Sequence, residues 1–229
     1  MLLAFDTATA TASVAVYDPD THTLLAELTW EARRRHTQDL LAAAQDLLQR
    51  CDRTPSQLTA LATTLGPGSF TGVRIALSAL KGMALGLPQA TRVVGLPTLS
   101  VTAAPWLAAA GAAQAVVCAY IQAGRGRYNW AYFAAHDLLS RPGPAEHRAG
   151  TAAHFAADLE AAGQRAIWLV GEPAPDLLEA VAALAQVTAI DAVSGWRRAG
   201  HLARLAALHL AQGYREDPAA LQPVYLQEP

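Results

Sequence analysis

The sequence predicts a mixed α/β fold built from two copies of one unit, and three observations carry that expectation. Both halves run in the same element order, three strands followed by alternating helix and strand. The apolar residues recur with the period of strands in some stretches and of helices in others. The 229 residues are 52% hydrophobic and 16% charged, enough apolar material for one large core or two modest ones and without the signature of disorder.

The first half opens on an apolar strand at Leu2 to Phe5. A second strand, Ser13 to Tyr17, alternates Val14 and Val16, and after the turn residues Asp18-Pro19-Asp20 a third runs from Thr23 to Trp30. A helical pattern follows at Leu40, Leu41, Ala44, Leu47 and Leu48. Next come a strand at Leu61 to Leu65, a helix at Phe70 to Leu87, a strand at Arg92 to Val94 and a helix near Thr98 to Ala110. The second half repeats the order, with strands at Ala115 to Ile121, Tyr128 to Ala134 and Leu138 to Ser140, then a helix at Thr151 to Ala162. A strand at Ala166 to Val170, a helix at Ala174 to Ala185, a strand at Val187 to Ile190 and a helix at Ala199 to Gln212 complete it. The repeat lies in element order rather than in residues, and the boundary falls near Pro105 to Gln114, giving domains 1–104 and 105–229.

Charge and cysteine usage narrow the function. The formal net charge of −2 lacks the basic excess of a domain that grips nucleic acid alone, so any such contact is shared with another protein. Cys51 and Cys118 form no CxxC or metal-spaced pattern and read as free thiols in a reducing compartment. Met1 to Phe5 has no basic n-region and is too short for a signal sequence, so a cytoplasmic protein is expected. The uncharged stretch from Val93 to Gly124 is long enough to cross a bilayer, but Pro97, Pro105, Gly111 and Gln114 break it, and no membrane segment is assigned.

The most informative segment is Leu65-Gly66-Pro67-Gly68-Ser69-Phe70-Thr71-Gly72-Val73-Arg74-Ile75, where a strand ends, a glycine-rich turn follows and a helix starts with Ser69 as N-cap. It is not a P-loop, because Lys81 lies ten residues beyond Thr71, and Gly72 follows Gly68 by one residue too many for a dinucleotide fingerprint. A tight turn is favoured over phosphate binding. In the helix, Phe70, Val73, Leu77, Leu80, Ala84 and Leu87 recur at heptad spacing. Gly72, Ala76, Ala79, Met83 and Gly86 make a second, small-residue stripe, leaving Arg74, Ser78 and Lys81 on a narrow polar strip. Such a helix has two faces to bury, against the sheet and against either its own neighbour or another chain.

The run Gly66-Pro67-Gly68-Ser69-Phe70-Thr71-Gly72-Val73-Arg74 resembles the signature of the TsaB (YeaZ) family, the dimerization subunits of bacterial tRNA threonylcarbamoyladenosine biosynthesis. Phe5-Asp6-Thr7-Ala8-Thr9 with Ala12-Ser13-Val14-Ala15 is similar to the family's opening hairpin, His36-Thr37-Gln38-Asp39-Leu40-Leu41 to its first helix and Lys81-Gly82-Met83-Ala84 to its second. The likeness is strong over residues 1–104. Beyond them it rests on Arg125-Gly126-Arg127-Tyr128, the Ala203 to Ala207 helix and Pro223-Val224-Tyr225-Leu226. The resemblance implies an actin-like (ASKHA) fold of two ribonuclease-H-like domains with mixed sheets. It also implies a pseudo-enzyme that pairs with a catalytic TsaD subunit and is joined by a TsaE ATPase, tRNA being met only through the complex. Contact with TsaD is expected through the two N-terminal-domain helices, at Phe70, Val73, Arg74, Leu77, Leu80, Lys81, Ala84, His36 and Leu40. Alone, such a surface is expected to pair with itself.

No catalytic residue, metal or cofactor is assigned. Asp6 and Thr7 are the candidates for a vestigial nucleotide contact, with a turn or structural role for Asp6 preferred. Where family members often carry Asp-Ala-Arg-Arg-Gly-Glu in the second hairpin, this chain reads Gln122-Ala123-Gly124-Arg125-Gly126-Arg127, without either carboxylate a metal and phosphate would need. Glu172, in Gly171-Glu172-Pro173, would repel a phosphate. The histidines 22, 36, 136, 147, 154, 201 and 209 include no pair four apart, so the HxxxH metal pair of the catalytic relatives is missing, and surface positions are expected for His201 and His209. Arg33-Arg34-Arg35 reads as a solvated basic cluster, with tRNA contact in the complex as the other reading. An actin-like small-molecule kinase and a metallopeptidase are the competing readings.

Overall fold

The computed structural model describes residues 1–32, 35–88, 90–124 and 126–224, so Arg33, Arg34, Arg125, Tyr225 and Leu226 lie outside the described residues. The described chain divides into two units, residues 1–98 with 198–224 and residues 99–197. In chain order the first unit is β1 (Leu2–Asp6), β2 (Thr11–Asp18), β3 (Thr23–Glu31), α1 (His36–Arg50), β4 (Ala60–Thr64), α2 (Phe70–Gly86) and β5 (Arg92–Leu96). The β-sheet order is β3-β2-β1-β4-β5. The β1, β2 and β3 strands form an antiparallel meander, whereas β4 and β5 run parallel to β1. Being central, β1 is buried at every residue. Leu40, Ala43, Ala44, Leu47 and Leu48 line one stripe of α1 and pack with Leu3, Phe5, Val14 and Val16 of the sheet.

The expected single helix after β5 is two short ones, α3 (Thr98–Ala103) and α4 (Leu107–Ala112). Pro105 explains the break, since it has no N–H and disfavours helical backbone at Ala104. The second unit continues with β6 (Val116–Gln122), β7 (Arg127–Phe133), β8 (Arg148–Thr151), α5 (Ala152–Ala161), β9 (Ile167–Val170), α6 (Pro175–Val181) and β10 (Val187–Ala189). The expected strand at Leu138 to Ser140 is instead a turn, where Asp137 accepts the Ala134 N–H at 2.6 Å and Ser140 N–H bonds to the Asp137 carbonyl at 2.8 Å. The third strand of this sheet is the polar β8, paired to β7. Its order, β10-β9-β6-β7-β8, repeats the first topology: the first strand is central, with a meander on one side and two parallel strands on the other. Phe155 stacks on Trp130 at 4.2 Å under one face, while Leu99, Leu107, Val117 and Phe133 fill the other.

The last helix, α7 (Ala199–Ala211), belongs to the first unit and not, as a division at residue 104 implies, to the second. Its Ala199 N–H donates to the Ser13 hydroxyl at 2.8 Å, on the sheet face opposite Val14 and Val16. Leu202, Ala203, Leu205 and Ala206 are buried there, which makes the first unit three layers thick. The chain then straps the sheet edge: Glu216 accepts the Gly95 N–H at 2.5 Å, Leu221 enters the core beside α2, and Val224 N–H reaches the Leu65 carbonyl at 2.7 Å.

Candidate partner-binding groove and glycine loop

The glycine-rich segment before α2 is packed against the β1–β2 turn. Ser69 N–H donates to the Ala8 carbonyl at 2.6 Å, and Ser69 Oγ caps the helix by accepting the Gly72 N–H at 3.1 Å. A Cβ on Gly68 would collide with the Ala8 carbonyl, and one on Gly72 with the Thr7 carbonyl. These glycines therefore allow a close backbone approach, and the Ser69 and Gly72 N–H groups are bound within the protein. Asp6 is 1% exposed and accepts the Ala8 N–H at 2.9 Å and the Thr64 hydroxyl at 3.2 Å. Thr7 donates its hydroxyl to the Gly72 carbonyl at 2.7 Å. Of the two vestigial nucleotide candidates, Thr7 thus ties the turn to α2 and Asp6 ties it to the end of β4.

In the second unit, the β6–β7 turn closes through Ala123 N–H to the Arg127 carbonyl and Arg127 N–H to the Gly124 carbonyl, each about 3 Å, with Gly124 and Gly126 at positive φ. Glu172, after β9, lies 3.6 Å from the buried guanidinium of Arg197, an anion already matched by a cation. Among the described residues no three His, Cys, Asp or Glu side chains converge as metal ligands. His209 is buried against Tyr214, ring centroids 5.5 Å apart, because α7 lies on the sheet, which corrects its expected surface position; His201 is half-buried.

The predicted contact residues separate into two groups. Val73, Leu77 and Leu80 are at most 5% exposed, and Leu77 and Leu80 belong to the first unit's core, so all three are already covered within this chain. His36 is also buried, its Nε2 3.0 Å from the Thr9 carbonyl, and Lys81 donates to the Ala219 carbonyl at 3.3 Å. Ala84 is half-buried against the same core. The open positions are Phe70, 59% exposed, and Arg74, whose guanidinium stacks 3.6 Å from the Phe70 ring centroid. They border a groove of about 490 Å³ between α1 and α2, lined also by Thr37, Leu40, Leu41 and Ile75. Leu41, 50% exposed, was missed as a contact candidate; its signal is an apolar residue one position off the buried stripe of α1.

Residues 29–139 match the family model described as TsaD: tRNA N6-adenosine threonylcarbamoyltransferase. A relative from Escherichia coli (strain K12), the tRNA threonylcarbamoyladenosine biosynthesis protein TsaB, is 39% identical over 134 residues, 58% of this chain and 54% of its own length. The chain matches about half the length, or less, of such curated relatives. Two solved structures from Pseudomonas aeruginosa align over nearly all of it. One, an uncharacterized protein with similarity to peptidase YEAZ, has a TM-score of 0.74 at 26% identity and covers 99% of both chains. The other, YeaZ, has a TM-score of 0.68 at 24% identity and covers 98% of this chain and 99% of its own. Two units of one mixed-sheet topology, together with these neighbours, place the protein in the actin-like class of duplicated α/β folds. Within that class, the chain is similar in sequence and fold to proteins named TsaB or YeaZ.

Proposed function

We propose that this chain is the non-catalytic partner subunit of a tRNA threonylcarbamoyl-transferring complex, binding a TsaD-like catalytic subunit through the α1–α2 groove. The observation that carries this reading is the exposed Phe70–Arg74 stack beside Leu41 and Ile75. An aromatic ring and an arginine next to an apolar groove have the composition of an interface hot spot. In this reading the same groove forms a homodimer when the chain is alone, a TsaE-like ATPase joins the complex, and tRNA is met only within it. The work is cytoplasmic; no helix among the described residues is long and apolar enough to cross a membrane. An independent kinase would need carboxylates at its phosphate turns, and a metallopeptidase would need converging ligands. Against both stand the bound Asp6, the carboxylate-free described part of the β6–β7 turn and the lack of a ligand cluster among the described residues.

The test is reconstitution of tRNA modification from purified TsaD-like and TsaE-like proteins, the threonylcarbamoyl adenylate and ATP. The reading expects modified adenosine only when this chain is added. It expects Phe70→Ala with Arg74→Glu to remove most of that effect. Modification at full rate without the chain, or by this chain without the TsaD-like protein, would overturn it.

A further inference from the structure

A second cavity of the first unit, about 480 Å³, lies where the β2–β3 hairpin meets the first turns of α7. A β-bulge builds it. The register pairs Tyr17 with Leu24 but Val16 with Ala26, so Leu25 is an extra residue on β3. In an uninterrupted strand Leu24 and Glu27, three apart, would point to opposite faces. With the bulge both reach α7: a Cβ on Gly200 would come within 3.0 Å of the Leu24 side chain, and Glu27 accepts the Gly200 N–H at 2.9 Å.

Glu27 also accepts from Arg198 at 2.8 and 3.0 Å, so this carboxylate and this guanidinium neutralise each other at the helix start. The remaining nitrogen-bearing lining is the exposed Arg204 one turn further along α7, His201 and His22. Glu27, Arg198 and Arg204 together leave the lining with one net positive charge. The other walls are Tyr17, Leu24 and Leu208. The volume falls within the usual ligand-pocket range of roughly 300–1,000 Å³, more space than an inorganic anion fills.

We propose that this cavity binds a phosphate monoester of nucleotide size, the phosphate on Arg204 and His22 and the nucleoside along Leu24, Leu208 and Tyr17. The ligand is either a free nucleotide or a nucleotide exposed in an RNA. None of these side chains lines the α1–α2 groove, so the site stands or falls independently of the partner assignment.

The test is a titration of the full chain followed through the imidazole proton resonances of His22 and His201. Adenosine 5′-monophosphate, adenosine, inorganic phosphate and a tRNA transcript serve as probes. The monophosphate is expected to shift both histidines saturably, adenosine and phosphate each to bind at least tenfold more weakly, and Arg204→Ala to weaken the monophosphate at least tenfold. Arg204→Lys should restore part of the loss. Competition by tRNA assigns the RNA source, and its absence the free nucleotide. No saturable shift with either the monophosphate or tRNA, equal binding by Arg204→Ala, or phosphate binding as tightly as the monophosphate would overturn the proposal.

Discussion

Replacing Gly72 by alanine sets helix propensity against packing, and the two predict opposite signs. Alanine is favoured over glycine inside a helix by about 1 kcal/mol. At Gly72, however, the new methyl group would enter the Thr7 carbonyl and come within 3.2 Å of the Ser69 side chain. Overpacking of this kind costs about 1–3 kcal/mol. Backing the helix away also loosens the Thr7 hydroxyl bond to the Gly72 carbonyl and the Ser69 cap, each about 1 kcal/mol. The expected net loss is about 2–4 kcal/mol. Gly82, on the same helix, is the control, since a Cβ there meets nothing within 4 Å. Gly82→Ala should therefore raise stability by up to about 1 kcal/mol. Urea unfolding of both variants measures the two signs. A Gly72→Ala midpoint at or above that of the parent would refute the claim that this glycine serves close packing.

Leu80→Glu should unfold the protein or cost more than about 4 kcal/mol, because it buries an unpaired carboxylate where the side chain is fully enclosed; calorimetry checks this, and a folded variant would restore Leu80 as a contact residue. Phe70→Ala with Arg74→Glu should leave the unfolding midpoint within about 1 kcal/mol of the parent while weakening binding to the TsaD-like protein at least tenfold by calorimetric titration. A thiol reagent at pH 8 should label Cys51 first and Cys118 only on unfolding, since burial pushes the Cys118 thiol well above its ordinary range. Equal native-state rates would contradict the closed second core.

Element order was legible in the sequence because local patterns carry it: alternation in β2, the stripe of α1 and the serine cap of α2. The duplicated topology followed from that order. What the sequence hid depends on residues far apart along the chain. The two apolar faces of α2 left open whether its second face meets a helix of the same chain or another chain; Leu77 and Leu80 join the first unit's core, and Leu221 and Val224 add to it from a strap with no local signature. The same return of the chain moved α7 into the first unit and buried His209. The opening turn was read more closely, since the structural role preferred for Asp6 is the one its hydrogen bonds describe. Groove residues Leu41 and Ile75 needed the α1–α2 packing, which no single helix pattern contains.

The partner role is tested most directly by light-scattering mass on a sizing column, with this chain alone, with the TsaD-like protein of the same organism, and with the two mixed. The account predicts a stable one-to-one species that replaces any homodimer and is lost with Phe70→Ala and Arg74→Glu. Unchanged masses on mixing, with and without nucleotide, would contradict it.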